Sequence, residues 1–216
     1  MGRGSSSAGG SGNINPNDVK STYDMISNRG ANPQGTDEVL SVARDIVDMY
    51  GDRVALPGTF QVAQMKKSGS RTMAYYDTEG NIAVNEKFFD PVVMNSAYDD
   101  CVSAGFHPSR GNKTGLQATA AHEYGHALAD LVAKKMGKDI YGASDEIVNE
   151  ARGVLASRIG KKGRTRTSDL QKMISGYAEK NNAETIAEAY SDVYCNGRRA
   201  SVASRAVVDV LNKYLL

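Results

Sequence analysis

Apolar positions in this chain recur mostly at helical spacing and alternate only in one short region. The pattern therefore predicts a helix-rich protein with a small sheet. Val39, Leu40, Ala43, Ile46, Val47 and Tyr50 fall on one helical face, with Thr36 as the expected N-cap and Gly51 as the stop. Ahead of it, residues 18–28 read as a short helix and residues 30–35 as a turn. Residues 59–65, 72–76 and 81–85 read as strands, broken by Gly69 and by the turn Asp77-Thr78-Glu79-Gly80. Tyr75, Ile82 and Val84 are expected to point inward. Further helices are expected at about 91–102, 116–136 (ending at Gly137), 144–158 (capped by Ser144), 168–176, 183–194 and 201–215. The expectation is an α+β fold: a small, mostly antiparallel sheet on one long helix, then a mainly helical C-terminal half. Residues 1–17, rich in Gly, Ser and Asn, read as a flexible tail, and residues 18–216 as one domain whose β-containing half ends near 137.

The helix at 116–136 contains His122-Glu123-Tyr124-Gly125-His126. Residues four apart share a helical face, so His122 and His126 can aim two imidazoles at one metal ion. Glu123, one position on, is angled to act as a base on water held there. Ala118, Ala120, Ala121, Ala127, Leu128, Ala129, Leu131 and Val132 give the surrounding helix a buried pattern, and Gly125 lets another backbone come close.

A catalytic zinc site needs one more protein ligand. The absence of a third histidine close after the motif argues against the metzincin class. Downstream, Glu184, Glu188 and Asp192 stand four residues apart on one helix. Three like charges in a row repel, and a cation with its histidine ligands would explain the stripe. One carboxylate would bind the metal and the next would fix the tautomer of a ligand imidazole.

Two registers are open. Glu184 and Glu188, followed by Ala189-Tyr190 and preceded seven residues earlier by Tyr177, resemble the anthrax-lethal-factor-like gluzincins. That group of zincin metallopeptidases includes Pro-Pro endopeptidases and many phage- and toxin-associated domains. The resemblance implies a zincin-like fold with Glu184 as third zinc ligand, Glu188 supporting a histidine, and Tyr177 stabilising the oxyanion. The other register, Glu188-Ala189-Tyr190-Ser191-Asp192, resembles thermolysin, with Glu188 as ligand and Asp192 as support; the first register is preferred, because the Tyr177 spacing also fits it. The resemblance is specific over residues 118–129 and 177–192. It implies a zinc-dependent endopeptidase acting on a peptide or protein substrate, with Glu123 as general base. The alternatives are a virion or assembly component tethered through the N-terminal tail, and a delivered toxin protease.

Composition alters this picture little. The 216 residues carry a formal charge of +1, which gives no reason to expect a nucleic-acid partner, and the basic loop 160–166 reads as solvated. Cys101 and Cys195, the only cysteines, read as free buried thiols outside any metal-binding pattern. No apolar run suggests a membrane span or a signal peptide, so cytoplasmic synthesis is expected, with virion association or delivery left open. The start Met1-Gly2-Arg3-Gly4-Ser5-Ser6 fits a loose myristoylation pattern but reads as linker. His107, Glu179 and Asp130 are expected to be structural or ordinary surface groups. An edge strand ahead of the metal-binding helix could pair with an extended peptide.

Overall fold

The computed structural model describes residues 32–54, 56, 60–65 and 72–216; the expected tail, the helix at 18–28 and the break at Gly69 lie outside them. The chain forms α1 (Pro33–Tyr50), β1 (Phe60–Ala63), β2 (Ala74–Tyr76), β3 (Ile82–Asn85), α2 (Pro91–Ser103), α3 (Gly115–Met136), α4 (Ile140–Arg158), α5 (Thr167–Lys172), α6 (Asn182–Asn196) and α7 (Val202–Leu215). The fold is mixed α+β, with a three-stranded sheet and a helical C-terminal half.

The strand order is β1-β3-β2. From β1 the chain moves out to the edge strand β2, then turns back so that β3 fills the centre. All four residues of β3 are buried. Only the β2–β3 ladder is antiparallel; β1 pairs with β3 in parallel, in place of a mostly antiparallel sheet. The short turn after Tyr76 fixes the hairpin, whereas β1 approaches β3 from its other side. Ile82 and Val84 face the core as expected, but Tyr75 is 41% exposed. Tyr76 turns toward α3, where its hydroxyl donates to Asp130 Oδ2 at 2.9 Å. Strand alternation then sends Tyr75 the other way.

Three helices start earlier than their sequence signals indicated. Asn32, not Thr36, caps α1, accepting from the Gln34 and Gly35 amides. Gly35 belongs to the first turn because the chain passes close to Phe89: a Cβ there would lie 3.0 Å from the Phe89 carbonyl oxygen. Asp139 rather than Ser144 caps α4, and the Ser144 hydroxyl instead donates to the Ile140 carbonyl inside the helix. Helix α5 begins at Thr167, before Ser168, and stops at Lys172, which frees Ser175 for other contacts.

Helix α3 is the axis of the molecule, packed by α1, α2, α4, α6 and β2. Thr114 and Gln117 form a reciprocal capping box at its start, and Gly137 ends it in the left-handed conformation. Its tightest crossing is with α6. A Cβ on Gly125 would lie 2.8 Å from Ala187 Cα and 3.1 Å from Tyr190 Cβ, so glycine is what lets the two backbones meet. Cys101 and Cys195 are free as expected, but half-buried rather than buried. Among the described residues, no helix is long and apolar enough to cross a membrane.

Candidate metal centre

The α3–α6 crossing assembles the site. His122 and His126 lie one turn apart on α3, with ring centroids 4.9 Å apart. Asn181 caps α6 by accepting from the Glu184 amide, which sets the first turn of α6 against these imidazoles. Glu184 Oε2 lies 3.3 Å from His122 Nε2 and 3.2 Å from His126 Nε2. One turn on, Glu188 Oε1 lies 2.7 Å from His122 Nδ1 and 2.9 Å from His107 Nδ1, and Ser175 Oγ donates to Glu188 Oε2 at 2.7 Å. The His122–Glu188 contact is close but off the line of a well-aligned hydrogen bond.

The spacing suits a small cation. Ligands about 2.0–2.1 Å from a tetrahedral zinc stand about 3.3 Å from one another, and the Glu184 oxygen keeps that separation from both Nε2 atoms. His122, Glu123 and His126 also form a group whose donor atoms all lie within 4.8 Å of one another, so this cluster could hold a metal ion. Glu184 approaches the Nε2 atoms of both imidazoles, whereas Glu188 approaches His122 on its Nδ1 side. Glu123 is 4% exposed, and burial pushes its pKa up in spite of the nearby histidines.

Charges in the cluster are strongly coupled. Burial opposes a charge on His122, but Glu184 and Glu188 together outweigh it and hold the pKa well above the ordinary histidine range. Burial likewise acts to raise Glu184, and His122 and His126 hold it far below the usual carboxylate range. Glu188 is held down to about 2: burial opposes this, and contacts with His107 and His122 prevail.

Tyr177 opens a short 3₁₀ turn, Tyr177–Lys180, that borders the site. The amides of Gly176 and Tyr177 donate to the carbonyls of Gly105 and Phe106 at 2.9 and 3.0 Å, pinning this turn to the loop after α2. The Tyr177 ring centroid is 5.8 Å from that of His122. Its hydroxyl accepts from Lys180 Nζ at 3.0 Å, and the same ammonium donates to Glu184 Oε1 at 3.0 Å. A cleft of ≈ 570 Å³ opens over these groups, lined by β2 on one side and by His122, Glu123, His126, Tyr177 and Glu184 on the other.

Two expectations need correction. Asp192 does not join the histidines: it is buried, but its oxygens accept from Asn196 Nδ2 at 2.8 Å and from the Ser201 amide at 2.9 Å. Its turn of α6 has passed the histidines and faces the start of α7. Asp130 is more than a surface charge, since it ties β2 to α3 through Tyr76 and pairs with Lys134 at 2.9 Å. His107 is structural, one of the two roles expected of it. It stacks on Tyr98 at 5.2 Å and shares Glu188 with His122. Glu179 is exposed as expected. The contributions of His107, Ser175 and Lys180 escaped the sequence reading. Lys180 alone had a local signal, four residues before Glu184 and three after Tyr177.

Comparison of the chain with models of protein families, with curated proteins and with solved structures returned no match in any of the three.

Proposed function

We propose that this protein is a zinc-dependent endopeptidase of the gluzincin type, acting on extended segments of peptide or protein. The observation that carries the reading is the placement of Glu184 Oε2 at 3.2–3.3 Å from the Nε2 atoms of both motif histidines. His122, His126 and Glu184 would hold the metal, in the register that resembles the anthrax-lethal-factor-like group. Asp192, which the thermolysin-like register needs near the histidines, is engaged with Asn196 and Ser201 instead. A zinc ion bound there would supply Lewis acidity, lowering the pKa of water and polarising a carbonyl.

The chain's own groups divide the remaining work. Glu123 takes a proton from the attacking water and delivers it to the leaving amine; its upward-shifted pKa suits both steps. Tyr177 donates a hydrogen bond from its hydroxyl to the carbonyl oxygen as charge develops, a contribution of about 3 kcal/mol where such donors have been removed in other sites. The negative charge of Glu188, 2.7 Å from His122 Nδ1, favours a proton on that nitrogen, which leaves the Nε2 lone pair for a metal. The outer edge of β2, which pairs with no further strand among the described residues, borders the same cleft and would offer main-chain hydrogen bonds to an extended substrate.

The test pairs metal analysis with cleavage of a peptide library, comparing wild type with Glu123→Gln. Both proteins should retain zinc, while turnover falls by about 10²–10⁴-fold in the variant. A Glu123→Gln protein as active as wild type would overturn the assignment.

A further inference from the structure

Among the described residues lining the cleft, Lys180 is the only lysine or arginine. Its ammonium lies 3.0 Å from Tyr177 Oη, 3.0 Å from Glu184 Oε1, and 4.7 Å from the Tyr177 ring centroid. A lysine ammonium has donors and no acceptor, so each contact has one possible direction. The phenol oxygen must accept, and the phenol's own proton is then turned away from Lys180. Glu184 is divided in the same way: Oε1 answers Lys180, and Oε2 faces His122 and His126.

The lysine side chain is 56% exposed, and ion pairs at that exposure contribute little to folding. Both contacts instead fix the direction of groups that the proposed chemistry uses. We propose that Lys180 is a positioning residue, which confines Glu184 to one donor oxygen and turns the Tyr177 hydroxyl proton into the cleft. This inference rests on the peptidase reading and adds to it a residue that acts through two others.

The experiment uses the full chain with Lys180→Met, Lys180→Arg, Tyr177→Phe, and the double variant Lys180→Met with Tyr177→Phe. Cobalt(II) serves as a visible probe of the metal site, alongside kcat, KM and thermal melting. Lys180→Met frees Glu184 Oε1 to join Oε2, so the coordination number rises and the visible bands weaken. Lys180→Arg keeps a donor in place and retains the wild-type spectrum. Lys180→Met also lowers kcat by roughly 10-fold, a fraction of the loss from removing an oxyanion donor outright. KM and melting temperature stay at the wild-type values, which a merely structural lysine would not produce. In the Tyr177→Phe background the same change costs less than it does alone.

An unchanged cobalt spectrum in Lys180→Met overturns the role toward Glu184. Fully additive losses in the double variant overturn the role toward Tyr177. A wild-type protein that binds cobalt but cuts no peptide sinks the peptidase reading and the Tyr177 role with it, while the spectrum still decides the role toward Glu184. A wild-type protein that binds no cobalt overturns both proposals.

Discussion

The beginning and the end of α6 carry carboxylates at the same spacing, yet they meet different neighbours. Glu184 and Glu188 lie against imidazoles from α3 and from the loop after α2. Asp192, one turn later, accepts from the Ser201 amide at the N-terminus of α7 and from Asn196 within its own helix. The first pair sits in a cluster of partly buried charges whose protonation states depend on one another. The last is a helix-terminus ligand, satisfied locally. Spacing along a helix puts groups on one face; the element that crosses that face decides what they do. Here the crossing at Gly125 and Ala187 sets the first turns of α6 against the histidines of α3, and the turn that carries Asp192 lies beyond them, against the start of α7.

The sharpest way to break the contrast is to remove the two glutamates separately. Glu184→Ala should abolish zinc retention through gel filtration. Glu188→Ala should keep the metal with affinity lower by about 10–100-fold, since in the proposed site it supports a ligand rather than being one. Equal losses would erase the distinction between the two positions.

Next in size is the response of the cluster to pH when zinc is stripped with a chelator. Glu188 is depressed from its ordinary 4.5 to about 2, so its contribution to stability is present above 4.5 and is lost as pH falls through about 2. His122 is raised above its ordinary 6.5, so its contribution is present below 6.5 and is lost as pH rises through the folded-state value. The metal-free protein should therefore melt highest between about 4.5 and 6.5. Zinc competes with protons for the same nitrogens, so the stabilisation it adds should grow from pH 5.5 to pH 8. Thermal melts with and without zinc across this range check both signs.

Smaller effects separate the crossing from the charges. Gly125→Ala should destabilise the fold by about 1–3 kcal/mol through overpacking against Ala187, read by denaturant unfolding. It should also weaken zinc binding, because the helices must part. Asp192→Asn should cost about 1 kcal/mol of stability, the worth of a typical hydrogen bond to a helix end, and leave zinc affinity unchanged. A loss of metal in Asp192→Asn would return that residue to the site.

The two helices that bear the site were legible because each carries a dense local signal. Helix α3 joins a five-residue pattern to an unbroken small-residue face, and the acidic stripe of α6 makes little sense on a solvated surface. Helical spacing alone left Glu184 and Glu188 as rivals on one face, with only the Tyr177 spacing favouring Glu184; the tertiary crossing sets them apart by the nitrogens they meet, Nε2 of both histidines for Glu184 and Nδ1 of His122 for Glu188. His107 was illegible for a related reason. Its partner Glu188 lies 81 positions away, and nothing around Gly105-Phe106-His107-Pro108 marks it. Ser175 seemed to fall inside a longer α5, and only the early end of that helix frees it to donate to Glu188. The starts of α1 and α4 were misplaced because Thr36 and Ser144 are good caps in isolation, whereas tertiary packing favoured Asn32 and Asp139. The parallel β1–β3 ladder depends on which side of β3 the first strand reaches, and no local pattern encodes that choice.

The close contact at Gly125 bears on how this motif could be transplanted. Its two nominally variable letters are both constrained: Tyr124 is 1% exposed, and Gly125 abuts Ala187. A designer who grafted only the five letters onto another scaffold would import two imidazoles and a carboxylate, and would leave behind the neighbouring helix that governs their reach. The smallest portable unit is the pair of crossed helices, with the glycine at their point of contact.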